Sequence, residues 1–307
     1  MPGLLGIENL ERAEIEAILN RAKDFQPAPR ESFKRLDSLR GRMVVNMFFE
    51  ASTRTRTSFE IAAKRLGADA ISITAAGSSV SKGESLVDTL NTLAAMRPDA
   101  IVMRHAASGA PHFLARYLPT PIINAGDGTH EHPTQALLDA RTILDHRPSL
   151  EGLRVAIIGD IAHSRVARSN VYLLSKFGAS VVLCGPASLV PPELARIAPG
   201  VTITYDIREA IKDADVVMML RVQFERLHEP AFPPGEYFSF FGLRLEHMDL
   251  LKHDAIVMHP GPINRGREIA SDVADSQRSV ILNQVENGVA VRMAVLERIL
   301  GAGKESN

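Results

Sequence analysis

Short runs of β-branched residues alternate along this chain with segments whose apolar residues recur every three or four positions. Alternation of that kind predicts βαβ units and parallel sheets. In the first half the strand-like runs are Met43 to Phe49, Ala70 to Thr74, Asp99 to Met103 and Pro121 to Asn124. Between the first two, Phe59, Ala62, Ala63 and Leu66 follow the i, i+3, i+4, i+7 spacing of one apolar helix face, Gly67 closes the segment, and Ser52 is its natural N-cap. Glu84 to Arg97 reads as a further helix, buried through Leu86, Leu90 and Leu93. The turn-rich stretch HRPSLEG, His146 to Gly152, then separates this half from a second series. There LRVAIIGD, SVVLCG, VTITYD, DVVMML and AIVMHP read as strands, with helices such as Val166 to Phe177 between them. The fold class is α/β, with two open lobes, and a last helix from about Gln277 to Leu300 is long enough to pack back on the first lobe.

Composition narrows the functional classes. A chain of 307 residues, 45% hydrophobic, can bury two cores of ordinary size. Its 35 Lys and Arg balance 36 Asp and Glu, which argues against a general binder of nucleic acid or membrane surfaces. Any anion site must therefore be a local cluster. One cysteine, Cys184, excludes an internal disulfide framework and suits a reducing compartment. No run approaches the roughly 18 apolar residues of a membrane span, so a soluble, cytoplasmic protein is expected.

Ligands of open α/β sheets bind at the carboxyl ends of the strands, which makes those ends the place to look for chemistry. After the first strand, FFEASTRTRTSFE puts Arg54 and Arg56 in the first turn of a helix, where each cation costs about 0.3–1 kcal/mol against the helix dipole. A phosphate held by Ser52, Thr53, Arg54 and Thr55 would reverse that sign; two solvated arginines are the plain alternative. The third strand is followed by Arg104, and the fourth by GDGTHEHPTQA, with Pro133 at the first helical position, His132 before it and Gln135 one turn in. A His-Pro helix start is also a common structural device. In the second lobe, IIGDIAHSRVARS holds one glycine where a dinucleotide fingerprint wants three, and delivers Arg165. RVQ supplies Arg221 and Gln223, and HPGP a rigid turn through Gly261 and Pro262. Arginine pairs bidentately with phosphate and carboxylate, so these ends predict a cleft for two anionic substrates. No paired catalytic carboxylates, Ser-His-Asp set or HExxH pattern occurs in these loops.

Taken in order, STRTR, HPTQ, SRVARS, RVQ and HPGP resemble the aspartate/ornithine carbamoyltransferase superfamily, and its aspartate-specific catalytic chains in particular, over essentially the whole length. The resemblance implies two Rossmann-like lobes: a carbamoyl phosphate-binding domain over 1–147 completed by about 286–307, and an aspartate-binding domain over 148–285. It implies transfer of the carbamoyl group from carbamoyl phosphate to the amino group of L-aspartate, a step of pyrimidine synthesis, without cofactor or metal. Ser52, Thr53, Arg54 and Thr55 are implied to cradle the phosphate, Arg104, His132 and Gln135 to hold the carbamoyl end, and Thr55, Arg104 and His132 to polarise its carbonyl. Arg165, Arg221 and Gln223 are implied to grip the aspartate carboxylates, and Gly261 and Pro262 the carbamoyl nitrogen. The loop AAGSSVSKG resembles the segment that enters a neighbouring subunit's site with Ser78 and Lys82, which implies a homotrimer with shared sites, open to assembly with regulatory or dihydroorotase chains. Ornithine carbamoyltransferase is the nearest rival, but its HPCQ, SMG and HCLP stand here as HPTQ, RVQ and HPGP, and ornithine's ammonium would want a carboxylate where Arg221 stands. A nicotinamide oxidoreductase would need the missing glycines, and a non-catalytic anion binder would need only STRT.

Overall fold

The computed structural model describes residues 3–27, 32–33, 35–74, 85–222 and 233–301. Its elements are β1 (Gly3–Leu4), α1 (Arg12–Phe25), β2 (Met43–Phe48), α2 (Thr53–Arg65), β3 (Asp69–Thr74), α3 (Leu86–Ala95), β4 (Ala100–His105), α4 (Ala110–Leu114), β5 (Ile122–Asp127) and α5 (Pro133–His146) in the first half. They continue as β6 (Arg154–Ile158), α6 (Arg165–Lys176), β7 (Ser180–Cys184), β8 (Val201–Thr204), α7 (Ile207–Ile211), β9 (Val216–Met219), α8 (Pro234–Phe241), β10 (Ile256–Met258), α9 (Ser271–Ala274) and α10 (Ile281–Leu300). Contacts divide the chain into one unit of Met1–Arg141 with Glu286–Asn307 and a second of Thr142–Val285.

Each unit is built on a five-stranded sheet, ordered β1-β5-β4-β2-β3 in the first and β10-β9-β6-β7-β8 in the second. Every strand pairing in both is parallel. Parallel strands are covered on both faces and need continuous apolar runs, and Val44, Val45, Met47, Ile101, Val102 and Met103 are all buried. The edge strands β3 and β8 are exceptions, with Ile71 half exposed on β3 and only Val201 buried on β8.

Three departures from the sequence reading have physical causes. Gly3 forms an edge strand that no periodicity announces, because only two residues pair; a Cβ there would stand 2.0 Å from the Ile122 carbonyl oxygen. α3 starts at Leu86, where Ser85 Oγ accepts from the Asp88 amide, and Leu90 alone of its three leucines is fully buried. α10 starts at Ile281 and not near Gln277, because the preceding backbone bonds along β10: Val257 N–H donates to Arg278 O and Val280 N–H to Val257 O.

The sequence expectation that the last helix returns to the first lobe is met. From Glu286 onward α10 belongs to the first unit. Arg21 on α1 pairs with Glu297 through Nε at 2.6 Å and Nη2 at 3.1 Å, and this partner raises the arginine's pKa. Arg298 pairs with Glu14, and Gln26 Nε2 donates to Asn287 Oδ1 at 2.5 Å. In the second unit Cys184 ends β7 inside the core, and burial pushes its thiol up to about 12. The thiolate is the reactive form, so Cys184 should resist a thiol-specific chromogenic reagent in the native protein and titrate as one thiol per chain in guanidinium. Rapid native labelling would contradict its placement in the core.

Candidate active site

In the first unit β2, β4 and β5 are neighbours and parallel, so the residues that follow them share one sheet edge. Phe48 lies opposite Arg104 in the register, and Phe49 N–H donates to Arg104 O at 2.9 Å. The chain then reaches Ser52, extended at φ −160° and ψ 97°, and turns into α2. Ser52 makes no side-chain cap bond, and the first turn holds no acidic residue. Ser85 and Ser164 do cap their helices. The positive end of α2 thus carries neither a side-chain acceptor nor a carboxylate, the condition under which an anion binds well. Thr55 is buried, whereas Thr53 and Arg54 lie exposed on the same turn.

The Arg104 side chain, 12% exposed, donates from Nη2 to Glu50 Oε1 at 2.9 Å and from Nη1 to Ala125 O at 3.3 Å. These contacts hold its guanidinium at the β4 end, next to β2 and β5. His105 beside it accepts from the Ala107 amide through Nδ1, and burial lowers its pKa, so it adds no second cation at neutral pH. His132 is buried immediately before α5, and its carbonyl accepts from the Gln135 amide at 2.9 Å. Gln135, also buried, donates from Nε2 to Asp139 Oδ1 at 2.9 Å, which fixes which end of the amide faces away from the helix. Beneath α2, buried Arg292 of α10 donates from Nη1 to Ser58 Oγ at 2.9 Å and Gly288 O at 3.0 Å, with its guanidinium 5.1 Å from the Phe59 ring centroid. Burial, and then the charge of Arg104, lowers its pKa to about 9, so it still carries its proton at pH 7.

In the second unit β10, β9 and β6 are likewise neighbours. β6 is followed by Gly159, φ +143°, where a Cβ would meet Leu220 at 2.8 Å; this close approach is what the lone glycine provides. Asp160 accepts from His163 Nδ1 at 2.8 Å, Ser164 Oγ caps α6 through the Ala167 amide, and Arg165 is the first helical residue, 8% exposed. Arg221 follows β9 by two residues and is half-buried. After β10 the chain passes His259 and a cis Gly261-Pro262 bond. His259 Nδ1 accepts from the Gly261 amide at 2.8 Å, so its proton sits on Nε2, which faces Glu268 Oε1 at 3.2 Å. Glu268 also accepts from the Asn264 amide at 2.5 Å.

Ser52, Thr53, Arg54, Thr55, His132 and Gln135 therefore follow two strands of one sheet, with Arg104 near the end of β4 between them, and Arg165, Arg221, Gly261 and Pro262 follow three adjoining strands of the other. Ser78, Lys82 and Gln223 lie outside the described residues. Glu60, four residues after Arg56 on α2, accepts from Ser72 Oγ on β3. The sequence reading missed the carboxylates that hold the site residues: Glu50, Asp139 and Glu268. Glu50 was in the quoted FFEASTRT stretch and Asp139 stands four residues after Gln135 on a helix, so both carried a local signal.

A family model described as "Aspartate/ornithine carbamoyltransferase, carbamoyl-P binding domain" matches residues 3–145, and one described as "Aspartate/ornithine carbamoyltransferase, Asp/Orn binding domain" matches 151–299. The chain is 81% identical over 299 residues to the aspartate carbamoyltransferase catalytic subunit of Solibacter usitatus, covering 97% of this chain and 99% of that one. With the Geotalea daltonii catalytic subunit it shares 56% identity over 299 residues, covering 97% and 96%. Among solved structures, Trypanosoma cruzi aspartate transcarbamoylase in complex with N-(phosphonacetyl)-L-aspartic acid superposes with a TM-score of 0.87 at 32% identity, covering 96% of this chain and 94% of that one. Ornithine carbamoyltransferase from Pyrococcus furiosus gives 0.87 at 30% identity, covering 99% and 98%.

Replacing Glu268 by alanine would leave the buried His259 Nε2–H and the Asn264 amide without their acceptor, at about 1–3 kcal/mol. Equilibrium guanidinium unfolding should show that loss; unchanged stability would remove Glu268 from the support of the cis-proline turn.

Proposed function

The chain belongs to the aspartate/ornithine carbamoyltransferase family, and we propose that its two lobes carry out carbamoyl transfer by direct attack, with no covalent adduct on the protein. It is an enzyme that moves the carbamoyl group of carbamoyl phosphate to the amino group of L-aspartate, giving N-carbamoyl-L-aspartate and phosphate. Residues 1–147 with about 286–307 bind carbamoyl phosphate in this reading, and 148–285 bind aspartate; the two family models, at 3–145 and 151–299, support that division.

The observation that carries the reading is the α2 start. A helix N-terminus without side-chain cap or acidic residue, next to Arg104 and above buried Arg292, suits the phosphate of carbamoyl phosphate. Ser52, Thr53, Arg54 and Thr55 cradle that phosphate. Gln135 binds the carbamoyl group, and Gly261 and Pro262 accept from its nitrogen through their carbonyls. Arg165, Arg221 and Gln223 take the two carboxylates of aspartate. The neutral amine attacks the carbonyl carbon, and Thr55, Arg104 and His132 stabilise the oxyanion that forms. Phosphate then leaves with the amine's proton, so the charges balance without a general base on the protein. Holding two reactants in attack geometry supplies about 7–11 kcal/mol, and each oxyanion donor about 2.7–4 kcal/mol. Those terms are large enough to dispense with a nucleophile. Glu50 holds Arg104 in the absence of substrate and must yield to it when the oxyanion develops.

The same reading includes a cytoplasmic homotrimer in which Ser78 and Lys82 serve a neighbouring subunit's site, open to a larger assembly with regulatory or dihydroorotase chains. Among the described residues no helix is long and apolar enough to cross a membrane.

Purified protein should form a ureido product from carbamoyl phosphate with L-aspartate and little or none with ornithine; the reverse preference would overturn the substrate assignment. Arg54→Ala should weaken carbamoyl phosphate binding by roughly tenfold to a hundredfold in calorimetry, matching a charge-assisted hydrogen bond of about 1.5–3 kcal/mol, with circular dichroism unchanged. Equal affinity would sink the phosphate cradle. Mixing Lys82→Ala and Arg54→Ala chains should restore activity in some sites of the mixed trimers, and no recovery despite subunit exchange would refute the shared site.

A further inference from the structure

The turn between β5 and α5 holds a second group of polar side chains that carbamoyl transfer does not use. His130 Nδ1 stands 3.0 Å from Asp127 Oδ2 and 3.3 Å from Oδ1. His112 of α4 meets the His130 ring edge to face, with centroids 5.1 Å apart. One ligand atom from each of His112, Asp127 and His130 lies within 4.8 Å of the other two. Glu8 and Glu131 stand in the same relation to His130, so three carboxylates surround the pair of imidazoles.

The hydrogen bonds of Asp127 explain only part of this arrangement. Asn124 Nδ2 and the Glu131 amide donate to Oδ1, and the Gly109 amide donates to Oδ2, which leaves one acceptor position on Oδ2 for His130. A clasp of the turn by His130 would account for that contact. It would not account for His112, whose Nδ1 is buried and has no hydrogen-bond partner among the described residues. A buried nitrogen left in that way needs a partner, which a water or an ion can supply.

We propose that His112, Asp127 and His130 form a binding site for one divalent transition-metal ion of the zinc class. Two imidazoles and a carboxylate are zinc's own ligand types, and bonds of about 2.0–2.1 Å set neighbouring ligand atoms roughly 3.3 Å apart in a tetrahedron. Asp127 and His130 already stand at that spacing, and the ion replaces the proton they share. The His112 ring closes the remaining distance by rotation, and solvent supplies the fourth ligand. The amides on the remaining Asp127 lone pairs fix its orientation, as outer contacts do for metal-bound carboxylates. Glu8 and Glu131 offset the ion's charge. Both histidines are only half-buried, which leaves the ion a path in. Sequence patterns could not find this set, because His112 reaches the turn from a different element.

The test uses the full chain stripped with a chelator and titrated with Co2+ by visible absorption, then with Zn2+ in competition with a chromophoric chelator. The expected result is one ion per chain, Co2+ bands of tetrahedral intensity, and at least tenfold weaker binding in both His112→Gln and His130→Gln. Glutamine keeps size and polarity, and near-ultraviolet circular dichroism checks that each variant is folded. Absence of saturable binding by the unaltered chain, or binding that either variant leaves unchanged, would overturn the site. Neither readout depends on carbamoyl transfer.

Discussion

The organising constraint on this molecule is that within each sheet every strand runs parallel to its neighbours. Parallel pairing requires each crossover to return to the starting edge before the next strand begins, so every chain exit in a lobe leaves from one edge. That is why residues as far apart in sequence as Ser52, Arg104 and His132 follow neighbouring strands. Strand interiors can then be uniformly apolar and specify little beyond packing, while the exits are free to carry charge.

A second layer of order is electrostatic. Two of the groups at the exits are held by a carboxylate, Arg104 by Glu50 and Gln135 by Asp139, while Glu268 holds His259 beneath the cis-proline turn. Buried Arg292 works differently, stacked over Phe59 and bonded to Ser58, so that positive charge stands below the helix whose start is proposed to receive a phosphate. Leaving α2 without a cap costs stability, about 1 kcal/mol on the usual scale. Fixing the groups in advance removes the ordering entropy that a mobile site would lose on binding substrate.

The strands of both sheets were legible because period and composition are local properties. So were the exits, since STRT, HPTQ, RVQ and HPGP follow their strands directly. The two-residue β1 was not legible, because its evidence is the absence of a Cβ against Ile122. The run before α10 read as helix because its apolar residues do not reveal that the backbone bonds along β10. Arg104 could be picked out, but its hold on Glu50 needed the neighbourhood of β2 and β4, which sequence alone leaves open. Arg292 carried no signal at all: within a long helix a lone arginine reads as solvated, and only the fold buries it against α2.

The return of α10 to the first unit gives the two lobes different histories during synthesis. The second unit is one continuous stretch, Thr142–Val285, and has its whole complement of residues before the chain is finished. The first lobe begins earlier yet waits for residues made after the second, since Glu297 and Arg298 must reach Arg21 and Glu14 on α1. The lobe translated first is therefore the last to close. Loss of the end of α10 that carries Glu297 and Arg298 would be felt far away in the sequence, where α1 would lose the partners of Arg21 and Glu14.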